Sequence, residues 1–157
     1  MKNIKLNYFL IPLITIAVAI FGNYFTSQGI NGWYDELVKP EWTPPGALIG
    51  AIWTFLYALV TAVVLIFWNK FKSTDHFKLI IVLFAVNAIL NATWSLLFFT
   101  LNLTGVALIQ IIVLNLTIIL LILFLWPVSK KLAIALIPYT GWVSVATALN
   151  YFIWILN

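Results

Sequence analysis

Five apolar stretches, each about as long as a bilayer is thick, leave this chain few folds to choose from. Roughly 20 consecutive apolar residues cross a membrane as a helix. Such segments can be drawn at 6–27, 45–69, 77–101, 104–126 and 131–154. In hydrocarbon every backbone N–H and C=O must find its partner within the protein, so only helices and closed barrels span. The stretches are too long for barrel strands and do not alternate polar with apolar residues. Composition agrees, with 64% hydrophobic and 8% charged residues, where soluble domains carry about 25% charged. The expectation is an all-α polytopic membrane protein: a single domain over 1–157, folded as a bundle of five transmembrane helices, without internal repeats. Lys2 and Lys5 precede an apolar run, as in a signal peptide. That run continues to about Phe25 with no small-x-small cleavage site, so it reads as the first span.

Lysine placement orients the spans. Lys2, Lys5, Lys70, Lys72, Lys78, Lys130 and Lys131 fall on one side, and only Lys39 on the other. By the positive-inside rule the N-terminus is expected in the cytoplasm, with the first loop and the C-terminus exoplasmic. The short 101–104 link makes helices three and four antiparallel neighbours. The basic pI of about 9.4 therefore reports topology, and no nucleic-acid partner is expected.

The loop at 28–44 does not look like a plain turn. Trp33 to Gly46 hold two of the eight tryptophans, three of the six prolines and three of the four acids. Loops that long, with aromatic and proline content of their own, commonly cover a site. Beneath it, tryptophans sit too deep for the interfacial belt, which accounts for Trp68, Trp126 and Trp154. At 1.5 Å per residue, Trp53, Trp94 and Trp142 lie roughly 12, 10 and 18 Å below the loop end of their helices. Asn87, Asn91, Trp94, Ser95 and Phe98 share one helical face. Ile49, Trp53 and Tyr57 line helix two; Pro138, Trp142, Ala146 and Leu149 line helix five. Gln110 and Asn115 sit inside helix four, and amides in hydrocarbon must face a partner. Helix–helix glue explains any one of these about as well as a site does. Aromatics and amides gathered at one level under a lid fit a pocket better. Gly46-x-x-x-Gly50 could draw two helices together, and local packing is its expected role.

Much chemistry is excluded. The chain has no cysteine and one histidine, His76, so it offers neither thiolate nor multi-histidine metal ligands. No residue in the membrane interior is charged, Lys78 and Lys131 lying at span ends, which argues against proton relays and ion coupling. No nucleophile–base pair is visible. His76 reads as a solvated loop residue, so a tetrapyrrole in the pocket would be held by stacking, shape and hydrogen bonds.

These residues resemble the tryptophan-rich sensory protein / translocator protein (TspO/MBR) family, which includes the peripheral benzodiazepine receptor. The resemblance covers nearly the whole chain. Trp33-Tyr34 through Lys39-Pro40-x-Trp42-x-Pro44-Pro45 is similar to the family's first-loop signature. Ile52-Trp53-Thr54-Phe55-Leu56-Tyr57 matches its helix two, and Leu90-Asn91-Ala92-Thr93-Trp94 with Phe98-Phe99 its helix three. Pro138-Tyr139-x-x-Trp142 and Ala146-Thr147-x-Leu149-Asn150-Tyr151-x-x-Trp154 match its helix five. The resemblance implies a homodimer in a bacterial plasma membrane. It implies a pocket for porphyrins, sterols and isoquinoline-carboxamide or benzodiazepine-type drugs. It also implies light- and oxygen-dependent porphyrin degradation in some bacterial members, with Trp53 and Trp142 as the candidate reactive residues. Two departures stand out: Gln110 replaces an aspartate frequent in the family, and no basic residue follows Tyr151, which weakens the sterol-recognition pattern.

The expected function is a membrane receptor or sensor for a planar hydrophobic ligand, protoporphyrin IX or heme, with no required cofactor. The expected ligand-binding residues are Tyr34, Pro45, Ile49, Trp53, Tyr57, Asn91, Trp94, Gln110, Trp142, Ala146 and Leu149. Alternatives are a porphyrin-degrading enzyme, a porphyrin or sterol transporter, and a structural bundle.

Overall fold

A computed structural model describes residues 6–157. Lys2 and Lys5, two of the lysines used for orientation, lie outside the described residues. Every regular element among the described residues is helical, as backbone in hydrocarbon requires. Five helices are long and apolar enough to span a membrane: Asn7–Gly29, Gly46–Lys70, Phe77–Thr100, Thr104–Leu125 and Lys130–Leu156. Their ends fall within about two residues of the segments drawn from the sequence. We label the helices α1 (Asn7–Gly29), α2 (Trp33–Glu36), α3 (Gly46–Lys70), α4 (Phe77–Ser95), α5 (Thr104–Leu125), α6 (Lys130–Ala135) and α7 (Ile137–Leu156).

The ends follow local chemistry. Gly32, with φ of 124°, reverses the chain after α1, a conformation that glycine adopts without strain. Pro45 fixes the start of α3, and its carbonyl accepts from Leu48 and Ile49 N–H. Asn102, at φ 57°, turns the chain into α5, a conformation that asparagine tolerates better than most residues.

Two features depart from uninterrupted spans. The fifth span is broken at Leu136. Pro138 lacks the N–H that a continuous helix needs there, so α6 ends and α7 begins with proline in its first turn. The third span closes in a π-helical turn over Leu96–Thr100, with Leu101 N–H reaching back to Leu96 O at 3.0 Å. That extra residue turns Phe98 and Phe99 both under the first loop.

The bundle packs α1 against α3 and α4, α4 against α5, and α5 against α7. The apolar core fills the lysine-bearing half, where Phe67, Ile80, Ile118, Leu125 and Leu136 are essentially inaccessible. Buried residues of α3 are Leu56 near mid-span, and Val63 and Phe67 in that half. There α3 also meets α6. The loop-end half of α3 stands away from its neighbours. The exposed aliphatic residues of the spans form the outer surface that meets lipid, so apolar exposure here marks a membrane face.

Gly29 permits the tightest helix contact. A Cβ built on it would lie 2.1 Å from the Phe99 carbonyl oxygen. Thr100 Oγ1 donates to Phe25 O at 3.2 Å across the same seam. The Gly46-x-x-x-Gly50 pattern does the opposite of what packing would require. A Cβ at either glycine would meet nothing within 4 Å, because this face of α3 opens onto empty space.

Candidate functional site: an aromatic cavity beneath the first loop

That space is a cavity of about 860 Å³, within the roughly 300–1,000 Å³ range of ligand pockets. Its roof is the first loop and its walls come from α1, α3, α4, α5 and α7.

The floor is a chain of hydrogen bonds that crosses the bundle at mid-depth. Tyr57 Oη donates to Asn91 Oδ1 at 3.1 Å, and Asn91 Nδ2 donates to Tyr139 Oη. Tyr139 Oη donates to Asn87 Oδ1 at 2.9 Å. Asn87 Nδ2 donates to Thr117 Oγ1 at 2.8 Å, and Thr117 Oγ1 to Leu114 O at 2.7 Å. The chain joins α3, α4, α5 and α7. It satisfies amides that hydrocarbon would otherwise penalise.

Indoles dominate the walls. Trp53 stands 5.7 Å from Tyr57 and edge-on to Tyr139 at 6.4 Å. Trp94 stacks on Phe98 with centroids 4.9 Å apart, and its Nε1 donates to Asn150 Oδ1 at 3.1 Å. Asn150 Nδ2 is spent on Thr104 O at 2.9 Å. Trp142 differs. Its Nε1 is buried and finds no hydrogen-bond partner among the described residues. A buried donor left unpaired costs about 1–3 kcal/mol; the nitrogen has essentially no accessible surface, so the indole meets the cavity with its carbon edge and faces.

The roof is pinned on both flanks. Trp33 and Tyr34 pack on Phe98 at 5.6 and 6.1 Å, and Tyr34 on Phe99 at 5.4 Å. Lys39 Nζ folds back to donate to Tyr34 O at 2.5 Å and Leu37 O at 3.2 Å. It also sits 4.6 Å from the Tyr34 ring centroid, a cation–π contact. On the other flank Trp42 meets Phe152 edge-on at 6.0 Å. Val38 N–H donates to Asn157 Oδ1 at 2.9 Å, and Asn157 Nδ2 donates to Val38 O at 3.1 Å. Lys39 is the one charged side chain lining the cavity among the described residues. Burial, then the neighbouring Asp35 carboxylate, pushes the Tyr34 phenol above its ordinary pKa, so it stays a neutral donor and acceptor. Either side of α3's loop-end half the wall is open. Exposed Gly50, Thr54 and Val145 line one gap, and exposed Ile20 and Asn23 the other.

Tyr34, Ile49, Trp53, Tyr57, Asn91, Trp94, Trp142, Ala146 and Leu149 all line this cavity. Pro45 and Gln110 do not. Pro45 is exposed at the start of α3, and its neighbours Pro44 and Gly46 face the cavity instead. Gln110 points to the α4–α5 seam, where Nε2 donates to Leu90 O at 3.0 Å and Thr93 Oγ1 at 2.5 Å. Asn115 likewise ties α5 to α7, donating to Ser144 Oγ at 2.9 Å and accepting from Thr140 Oγ1 at 2.6 Å. Sequence reasoning missed Lys39, Asn150 as the Trp94 acceptor, and the α1 wall that includes Gly22 and Asn23. A glycine and an amide side by side in an apolar span were the available signal for that wall. His76 is exposed beside Phe124, far from the cavity.

The sequence pattern of the TspO/MBR family matches residues 10–155. A tryptophan-rich protein TspO of Archaeoglobus fulgidus is 38% identical over 146 residues, 92% of this chain and 93% of that protein. One from Bacillus cereus is 38% identical over 148 residues, covering 92% and 95%. The human translocator protein is 28% identical over 138 residues, covering 85% and 82%.

Proposed function

The chain belongs to the TspO/MBR family, and from that premise we propose that it is a membrane receptor for a planar hydrophobic ligand, a porphyrin, held in the cavity beneath the first loop. One observation carries the reading. A cavity of about 860 Å³ is walled by the three indoles of Trp53, Trp94 and Trp142. Flat indole faces suit a flat macrocycle, since offset aromatic pairs add about 0.5–1.5 kcal/mol each beyond area burial. Lys39 at the roof suits a propionate. Receptor action then means that the loop and α3 close on the ligand. The physiological setting proposed with it is a bacterial plasma membrane, the protein a homodimer, its N-terminus cytoplasmic and the loop exoplasmic.

The test is the Soret-band shift of protoporphyrin IX titrated with protein in lipid nanodiscs. Trp53→Phe with Trp142→Phe removes two indole faces, and affinity is expected to fall about tenfold, the equivalent of roughly 1.4 kcal/mol. Unchanged affinity would remove the cavity from the account.

A second reading, light-driven porphyrin breakdown, is favoured by the same pair of oxidisable indoles facing one space. Aerobic illumination with excess porphyrin separates the two readings. An open-chain product formed over many turnovers supports an enzyme. Substoichiometric loss with oxidised tryptophan supports a receptor that suffers photodamage.

A further inference from the structure

Below the floor, in the lysine-bearing half, lies a second cavity of about 180 Å³ between α1, α3 and α4. Tyr57, Asn87, Asn91 and Tyr139 form its upper wall. Ile11, Val18, Val60, Val64 and Ile81 are typical of the rest. Apart from the Trp68 indole at the lower end, the polar side chains that line it are already engaged. The tyrosines and asparagines bond one another. Thr15 Oγ1 donates to Ile11 O at 3.2 Å and accepts from Thr61 Oγ1 at 2.8 Å. A buried water needs two to four polar partners, and an apolar cavity of about 150 Å³ stays dry yet takes up a hydrophobic guest. This space therefore suits hydrocarbon.

Its shape and its lower end narrow the guest further. The α3 wall runs from Leu56 to Trp68, about 18 Å along the helix axis, close to one leaflet of a hydrocarbon core roughly 30 Å thick. Ile14 and Ala85 on the rim are exposed, so the cleft is open to neighbouring lipid. At the bottom, Lys72 Nζ sits 5.5 Å from the Trp68 ring centroid, and Lys70 closes α3 beside it. The cation is held where a headgroup would lie if a chain filled the cleft above it.

We propose that this cleft seats one acyl chain of an anionic phospholipid from the leaflet at the lysine-bearing end, with its phosphate against Lys72 and Lys70. The site is separate from the cavity under the loop and does not rest on what that cavity binds.

The test uses the full chain in nanodiscs containing phosphatidylglycerol with a mid-chain diazirine, photolysed and mapped by peptide mass spectrometry. Labels are expected on Val60, Val64, Ile81 and Ala88, at several times the yield found on the outward faces of α5 and α7. Filling the cleft by Ala88→Leu, or from the opposite wall by Val60→Phe, is expected to cut that labelling at least fivefold. Either variant counts only if its thermal unfolding matches the parent, and having two guards against one that fails to fold. Lys70→Gln with Lys72→Gln is expected to remove the preference over diazirine phosphatidylcholine while leaving chain labelling in place. Even labelling of all lipid-facing helices, or labelling indifferent to both filling variants, overturns the site. Equal labelling by the two headgroups in the parent overturns the assignment to an anionic lipid.

Discussion

Tyr139→Phe removes a single oxygen from the centre of the bundle and tests whether the transverse hydrogen-bond chain holds it together. Tyr139 Oη accepts from Asn91 and donates to Asn87. Its loss strands one donor and one acceptor. A buried unpaired group costs about 1–3 kcal/mol, whereas single hydrogen bonds in a membrane protein average about 0.6 kcal/mol and reach about 1.7. Position decides between these scales. Asn91 also faces the upper cavity, where water can replace the lost partner. Asn87 faces only the apolar cleft, so its Oδ1 stays unpaired. We expect a loss of about 2 kcal/mol, nearly all from Asn87. Tyr57→Phe breaks one bond on the wettable side and should cost about 0.5 kcal/mol. Reversible unfolding in mixed micelles, followed by near-UV circular dichroism, measures both. Asn87→Ala, which also gives up the bond to Thr117, should cost less in the Tyr139→Phe background than in the parent, because the stranded acceptor leaves with it. Parent-like stability for Tyr139→Phe, or a larger cost for Tyr57→Phe, would refute the reasoning.

Three further outcomes are expected. Gly29→Ala drives a Cβ into the Phe99 carbonyl and should cost about 2 kcal/mol, while Gly22→Ala, whose Cβ would sit 3.6 Å from Ser95 Oγ, should stay within about 0.5 kcal/mol of the parent in the same unfolding assay. Asn157→Ala frees Val38 from its paired hydrogen bonds and should speed porphyrin dissociation severalfold in stopped-flow, the change lying in the off-rate. Lys39→Met should weaken binding of a dicarboxylate porphyrin more than of its dimethyl ester, and should flatten the salt dependence seen with the dicarboxylate; equal effects on both ligands would remove the propionate role.

The sequence makes the spans legible because apolar length is a direct consequence of bilayer thickness. It makes much of the cavity wall legible because α4 and α7 carry amides and tryptophans at helical spacing. Rotation is where that logic stops. Gln110 and Asn115 fall on different faces of the otherwise largely apolar α5 span, so no stripe fixes which side faces inward, and Gln110 turns out to face Leu90 and Thr93. The α1 span has no polar stripe either, and its one signal, Gly22 beside Asn23, went unused. Gly46 and Gly50 match a packing motif, yet they face empty space, because Pro44 and Pro45 start α3 at a distance from its neighbours. The π-helical turn leaves no periodic signature, since it inserts one residue into an otherwise regular face. The fifth span as drawn from the sequence runs through Pro138 unbroken, although proline cannot donate the hydrogen bond that a continuous helix requires and was the available signal for the break.

The openings beside α3 put the cavity in contact with hydrocarbon as well as with the loop. A greasy ligand dissolves in the membrane first and meets the protein there. Occupancy then follows the ligand's mole fraction in lipid, and its bulk concentration matters only through the partition coefficient. An apparent dissociation constant expressed per litre should rise in proportion to the lipid added, while the same constant expressed per mole of lipid should hold steady. Two ligands that fit the cavity equally well will differ in apparent potency by the ratio of their partition coefficients. Rankings measured in detergent and in bilayers need not agree.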